Sequence, residues 1–129
     1  MEKITNIAEL ESYLSNFYGT EHYYKVAFGG ILFTDGVKAL AEVAGGGAFW
    51  LIDAICSYQG EAPFNKPEIQ EFQIWYLTVR ADNTAVLTCR TDTHEPVLCS
   101  QDIEFTDFPI CEDFKIYYIN KIILLPGEY

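Results

Sequence analysis

Basic side chains are scarce in this sequence. Eight Lys and Arg stand against nineteen Asp and Glu, which gives a formal net charge of −11. A negative field of this size repels phosphate backbones, so the composition argues against direct binding to DNA or RNA.

Long apolar runs are also missing, because polar residues or glycines interrupt each apolar stretch within about a dozen residues. The first six residues contain no cleavable apolar run. We therefore expect no membrane span and no signal peptide, and we predict a cytoplasmic location.

Closely spaced cysteines are absent as well. The four cysteines are far apart in the sequence, at Cys56, Cys89, Cys99 and Cys111. Structural zinc usually takes its ligands in close pairs, so we expect no metal and no cofactor. An even number of cysteines permits two disulfides, but without a secretory signal we expect four reduced thiols.

Familiar catalytic motifs do not occur. The sequence has no G-x-S-x-G, no H-E-x-x-H and no G-x-G-x-x-G. These absences disfavour a hydrolase or a nucleotide-binding enzyme of a familiar type.

What the sequence does have is apolar and aromatic content. Half of its 129 residues are hydrophobic and 16% are aromatic, which is enough to build one core, so we predict a single domain over residues 1–129. In the first half, apolar residues recur every three or four positions after a Thr5 or Asn6 cap and before Gly19, which predicts a helix. The residues of this stripe are Ile7, Leu10, Leu14 and Phe17.

Two further helices are predicted before residue 60. One begins at Thr34 or Asp35 and ends at the glycines of residues 45–47. The next covers about residues 48–58 and is apolar almost all round, with Asp53 and Ser57 as its polar members. A helix of this composition is expected to lie inside the fold.

The second half has the alternating pattern of strands. Residues 72–80 and 85–91 predict one hairpin, residues 97–105 predict a strand with one wet face, and residues 114–119 and 122–125 predict a closing hairpin. We therefore predict an α+β fold. N-terminal helices, in a layer over about residues 6–59, pack on a C-terminal antiparallel meander of four to five strands over about residues 70–126.

One set of residues predicts a small pocket. Trp50, Asp53 and Ser57 share one face of the third helix, and a carboxylate buried there needs a partner. His22 is the histidine of the helical half and is a candidate general acid or base. A structural role for Asp53, satisfied by protein donors, is the alternative, and His94 is expected to be exposed.

Two loop features have both a structural and a functional interpretation. Thr34 and Asp35 precede Gly36 at a predicted helix start, where capping explains both residues. Gly45 to Gly47 precede a helix N-terminus that can hold an anion, but a flexible connection is the default interpretation because no Lys-Ser or Lys-Thr follows.

The strongest charge feature lies in residues 92–113, called the acidic segment below. It contains no Lys or Arg and seven acids: Asp92, Glu95, Asp102, Glu104, Asp107, Glu112 and Asp113. Such a segment can attract a basic partner, with exposed aromatics such as Tyr117 or Tyr118 beside it. The alternative is that the acids only keep an aromatic-rich chain in solution.

Several phrases carry a resemblance. They are TDGVKALAE at 34–42, WLIDAICSYQ at 50–59, EFQIWYLTV at 71–79, VLTCRTD at 86–92, EFTDFP at 104–109 and LLPGEY at 124–129. Together they resemble an uncharacterised family of small proteins from bacterial genomes, plasmids and bacteriophages. The resemblance implies such an origin, names no catalytic residue, and favours a shared surface for Trp50, Asp53, Tyr58 and Gln59.

Two functions remain open from the sequence. The first is a non-enzymatic accessory protein that binds a macromolecular partner through the acidic segment, by covering a basic surface as a DNA mimic does or by docking into a larger assembly. The second is a small enzyme or ligand-binding domain with a pocket around Trp50, Asp53, Ser57 and His22. Homodimerisation through an edge strand is compatible with either.

Overall fold

The computed structural model describes residues 3–26 and 29–129. This part of the chain contains four α-helices and seven strands, which confirms the α+β class. The helices are α1 (Ile7–Leu14), α2 (Asp35–Val43), α3 (Phe49–Ser57) and α4 (Pro67–Glu71). The strands are β1 (Tyr23–Lys25), β2 (Leu32–Thr34), β3 (Gln73–Val79), β4 (Ala85–Arg90), β5 (Cys99–Ile103), β6 (Cys111–Ile119) and β7 (Ile122–Leu124).

All seven strands form one sheet, in the order β1-β2-β7-β6-β3-β4-β5. The predicted four- to five-stranded antiparallel meander is wrong in two respects. The sheet is larger, and β2 pairs parallel to β7, with Leu32 opposite Ile122 and Phe33 opposite Ile123. Strands β1 and β2 also come from the part of the chain in which only helices were predicted.

The two predicted hairpins are present. β3 and β4 pair antiparallel from Ile74↔Arg90 to Val79↔Ala85, and β6 and β7 pair around the turn at Asn120. Asn83, Asn120 and Lys121 have positive φ, which asparagine tolerates better than most residues and which tight hairpin turns require.

The helix starts follow the predicted caps. The Asn6 Oδ1 accepts a hydrogen bond from the Glu9 N–H at 3.1 Å, and the Thr34 Oγ1 accepts one from the Val37 N–H at 3.3 Å. These bonds satisfy N–H groups that the first turn of a helix leaves without a partner. Within the described residues, no helix is long and apolar enough to cross a membrane.

The core lies between the helices and one face of the sheet. Leu40 of α2 and Ile55 of α3 are buried with Trp75 of β3 and Tyr118 of β6. The burial of Tyr118 contradicts its predicted role as an exposed aromatic. Tyr117 points the other way, where it is half-buried against Phe72.

Helix α3 is enclosed on one side only. Leu51, Ile52 and Ile55 are buried, as predicted for the centre of this helix. Asp53 and Ser57 are exposed, and Phe49 is 48% exposed, so the prediction of a helix surrounded on all sides is wrong.

Candidate functional site

The acidic segment runs from one edge of the sheet to an inner strand. It starts in the loop after β4, continues through the edge strand β5, crosses to the other side of β3 over residues 104–110, and ends in the first residues of β6. All seven of its acids are exposed. Within residues 3–26 and 29–129, the one ion pair closer than 4.0 Å joins His22 to Asp35, so these seven acids have no Lys or Arg partner there.

Hydrogen bonds fix the crossing stretch of the acidic segment to the rest of the fold. The Thr106 N–H donates to the Asn83 carbonyl at 2.9 Å, and the Asn83 Nδ2 donates to the Thr106 carbonyl at 3.1 Å. The Asp107 Oδ2 accepts from the Gly46 N–H at 2.8 Å. The carboxylates near these residues are therefore displayed on backbone that is held in place.

The contact with Asp107 explains why glycines occupy positions 45 and 46. Gly45 has φ +55° and lies against the Asp107 carbonyl, where a side chain would collide. The neighbouring Gly46 N–H already binds the Asp107 carboxylate. The anion held at this loop is therefore the Asp107 carboxylate of the protein itself.

Three apolar side chains stand exposed among the acids, Val97 at 42% and two that are more exposed. Phe105 is 71% exposed and Ile110 is 54% exposed, on either side of buried Phe108. Exposed carboxylates together with exposed apolar groups provide both charge attraction and burial energy for a partner.

The predicted pocket residues do not converge. Asp53 is exposed on α3, where its predicted burial is wrong, Trp50 is half-buried, and the Ser57 Oγ donates to the Ala54 carbonyl at 2.7 Å. His22 lies beside Asp35 at the start of α2, with the His22 Nδ1 3.8 Å from the Asp35 Oδ1. His94 is exposed, as expected.

Asp35 organises the start of α2. Its carboxylate accepts hydrogen bonds from the Glu21 N–H at 3.0 Å, the His22 N–H at 3.3 Å and the Tyr24 hydroxyl at 2.9 Å. The bond from Glu21 is the main cause that lowers the pKa of Asp35 below its ordinary value. The hydrogen bond from the Tyr24 hydroxyl to the Asp35 carboxylate raises the pKa of Tyr24.

A cavity of about 330 Å³ opens beside the C-terminal end of α3. Of the four predicted pocket residues only Ser57 lines it, together with Cys56, Gln59, Tyr118 and others. Burial raises the pKa of the Cys56 thiol to about 11 and that of the Tyr118 hydroxyl to about 12. A raised pKa favours the protonated form of both groups, which disfavours either of them as a nucleophile or a general base.

Three glutamines form a network at this cavity, and the sequence analysis named only Gln59 among them, as part of a shared surface. Gln59 and Gln73 exchange two amide hydrogen bonds of 2.9 Å each. The Gln70 Nε2 donates to the Gln59 Oε1 at 2.8 Å, and the Tyr118 hydroxyl donates to the Gln70 Oε1 at 2.6 Å. The network satisfies its own polar groups, which is the arrangement of a structural polar core. No local spacing signals it, because the glutamines lie on three different elements.

Within the described residues, no group of three or more His, Cys, Asp or Glu is placed to hold a metal ion. Each of the four cysteines is a free thiol.

A protein-family model matches most of the chain. The model of a family of unknown function, DUF6876, matches residues 8–129. No curated protein and no solved structure gives a significant match to the chain. A match over almost the whole length shows the family, and the chain belongs to DUF6876, a family of unknown function.

Proposed function

We propose that this protein is a non-enzymatic accessory protein that binds a basic protein partner through the acidic segment. The observation that carries the proposal is the display of seven exposed acids, unpaired within the described chain, around exposed Phe105 and Ile110.

The acids supply attraction and orientation. Unpaired carboxylates along the acidic segment concentrate the negative field of a chain with net charge −11. Such a field speeds encounter with a positive surface and weakens as salt rises. Burying Phe105 and Ile110 supplies affinity, since a large apolar side chain gains roughly 1.5–3 kcal/mol when it is fully buried. The partner is therefore a basic surface with an apolar depression, either free or part of a larger assembly.

The proposal includes the cellular location and the genetic origin of the protein. We propose that the protein acts in the cytoplasm of a bacterium, where it is encoded by the bacterial genome, a plasmid or a phage. Four free thiols fit a reducing compartment. Homodimerisation remains compatible with this function, and the two sheet edges open to it are β1 and β5.

The alternative, an enzyme or ligand-binding domain around Trp50, Asp53, Ser57 and His22, stays a prediction. The exposure of Asp53 and the position of His22 beside Asp35, outside the lining of the cavity at Ser57, favour the accessory protein.

A pull-down from bacterial lysate with three matched baits tests the proposal. The baits are the wild type, a variant that neutralises the acidic segment and a variant that neutralises acids elsewhere. The first variant carries Glu95→Gln, Asp102→Asn and Glu104→Gln, and the second carries Glu42→Gln, Glu61→Gln and Glu71→Gln. All six side chains are exposed, and both variants change the net charge equally.

We expect the wild type and the second variant to recover the same protein at about 50 mM salt, and the first variant to lose it. Recovery by the wild type should fall at about 500 mM salt. Equal recovery by all three baits, or recovery indifferent to salt, would contradict the proposal.

A further inference from the structure

An open groove runs between α1 and the first half of β6. It encloses about 670 Å³, which lies within the range of ligand-binding clefts. Ile7, Leu14 and Phe17 line one wall, and Phe114 and Leu125 line the other. The apolar stripe of α1 is thus shared between the core, which buries Leu10 completely, and this groove.

The groove follows a stretch of strand that lacks a neighbour on one side. β6 pairs with β3 along most of its length, but β7 pairs only with Tyr117, Tyr118 and Ile119. The ladder ends at Leu124, because the Leu125 N–H donates to the Glu128 Oε1 at 3.0 Å and the chain continues in a 3-10 turn over Pro126–Glu128 that contacts β6. In the part of the chain that the structure describes, residues 112–116 of β6 therefore have no strand partner on the side away from β3. On the β3 side, residues 114–116 pair with β3, and Glu112 and Asp113 form a bulge in which the Asp113 N–H donates to the Thr78 Oγ1 at 3.0 Å.

The rim of the groove is acidic. Glu11 of α1 faces the groove together with Glu112 and Asp113 of β6, against a single cation, Lys115. None of the three acids is ion-paired within the described residues. A segment that carries Lys or Arg would complement this rim, and an acidic segment would be repelled.

We infer that this groove binds an extended segment of the basic partner, which adds a strand beside residues 112–116 of β6. Its backbone would hydrogen-bond to β6 beyond the end of β7, and its apolar side chains would enter the groove. Its basic side chains would contact Glu11, Glu112 and Asp113. The inference rests on the proposed function, because Glu112 and Asp113 belong to the acidic segment.

Strand addition is preferred to a docked helix for a physical reason. A helix satisfies its own backbone and would leave the open side of β6 without strand partners. An extended segment pairs with those groups and fills the apolar groove at the same time. About five residues, spanning roughly 17 Å, are enough.

The test uses defined peptides and fluorescence anisotropy. The probe is a labelled peptide of about six residues in which Lys and Val alternate. Its matched control has the same sequence with alternate backbone amides N-methylated, so that charge and side chains are kept and the ladder cannot form. A Leu-Lys peptide of about 15 residues that forms an amphipathic helix is the third ligand.

Two charge reversals on α1 provide the protein controls. Glu11→Lys alters the groove rim, and Glu9→Lys makes the same charge change at an exposed position of the same helix outside the groove. Both residues lie outside the acidic segment. We expect Glu11→Lys to weaken the binding of the Lys-Val probe about fivefold and Glu9→Lys to weaken it less than about twofold. N-methylation should weaken the probe at least about tenfold.

Four results would overturn the inference: equal binding of the N-methylated peptide, preference for the helical peptide, equal effects of the two charge reversals, or a homodimer that Glu11→Lys dissociates in sedimentation. The pull-down with Glu95, Asp102 and Glu104 neutralised is independent of this groove. A failed peptide test with a successful pull-down would leave the partner on another part of the acidic segment, and failure of the pull-down would remove the proposed function itself.

Discussion

Asp107 and Gly46 meet across 61 positions of sequence, where the Asp107 Oδ2 accepts the Gly46 N–H at 2.8 Å. This contact joins the loop between α2 and α3 to the middle of the acidic segment. Charges that attract a partner act best from a fixed backbone, because ordering a mobile loop on binding costs free energy. The α2–α3 loop therefore supports the proposed interface without belonging to it.

Replacing Gly45 tests this support. Gly45→Ala places a side chain against the Asp107 carbonyl at a positive φ, and we expect it to lower the free energy of unfolding by about 2–4 kcal/mol. Gly60→Ala is the control, since a Cβ there meets nothing within 4 Å. Urea denaturation measures both, and equal stabilities would contradict the close approach.

Glu128 closes the fold at the start of α2. Its Oε1 accepts from the Thr34 hydroxyl at 2.7 Å and the Leu125 N–H at 3.0 Å, and its Oε2 accepts from the Gly36 N–H at 3.2 Å. Glu128→Ala removes a charged acceptor near a helix N-terminus, so we expect a loss of about 1–2 kcal/mol in urea denaturation. Glu61→Ala, at an exposed position, should cost less than about 0.5 kcal/mol. A Glu128→Ala protein as stable as the wild type would refute the role of this contact.

Asp35 should make stability depend on acid pH. Its folded pKa is lowered, first by the Glu21 N–H, so its ionised form stabilises the fold above the unfolded pKa of about 4. That contribution is lost as the pH falls through the lower folded pKa. Unfolding free energies measured across this range should fall less steeply for Asp35→Asn than for the wild type, and parallel curves would show that the carboxylate is not held as described.

Cys56 should react slowly in the folded protein. Burial raises the pKa of its thiol from the ordinary value of 9.0 to about 11, which reduces the thiolate at pH 8 roughly 100-fold. Mass spectrometry of iodoacetamide labelling should show slow modification of Cys56 in buffer and rapid modification in urea. Labelling at the unfolded rate in buffer would reopen the possibility of a reactive cysteine at the cavity.

The local parts of this fold could be predicted from the sequence. Apolar spacing placed α1, α2 and α3, and alternation placed the β3–β4 and β6–β7 hairpins, because these patterns depend on neighbours close in the chain. β1 and β2 are three residues each and acquire their partners at a distance, as when Leu32 pairs with Ile122. No short window of sequence contains that information.

Residues at the site were harder to place for the same reason. An all-apolar pattern identified α3 but could not say which of its sides meets the core, so Asp53 was predicted to be buried although it faces solvent. The acidic segment was visible as composition. Its attachment through Asp107, and the gap beside β6 left by the early end of β7, depend on tertiary contacts.

Carbodiimide cross-linking of the complex recovered by the wild-type bait tests the central claim most directly, since the reagent joins a carboxylate to an amine in contact with it. We predict that the cross-links to partner lysines fall on acids of residues 92–113 and, at the groove, on Glu11. Cross-links concentrated on Glu42, Glu61 or Glu71 instead would contradict the account, because the partner would then bind a different face.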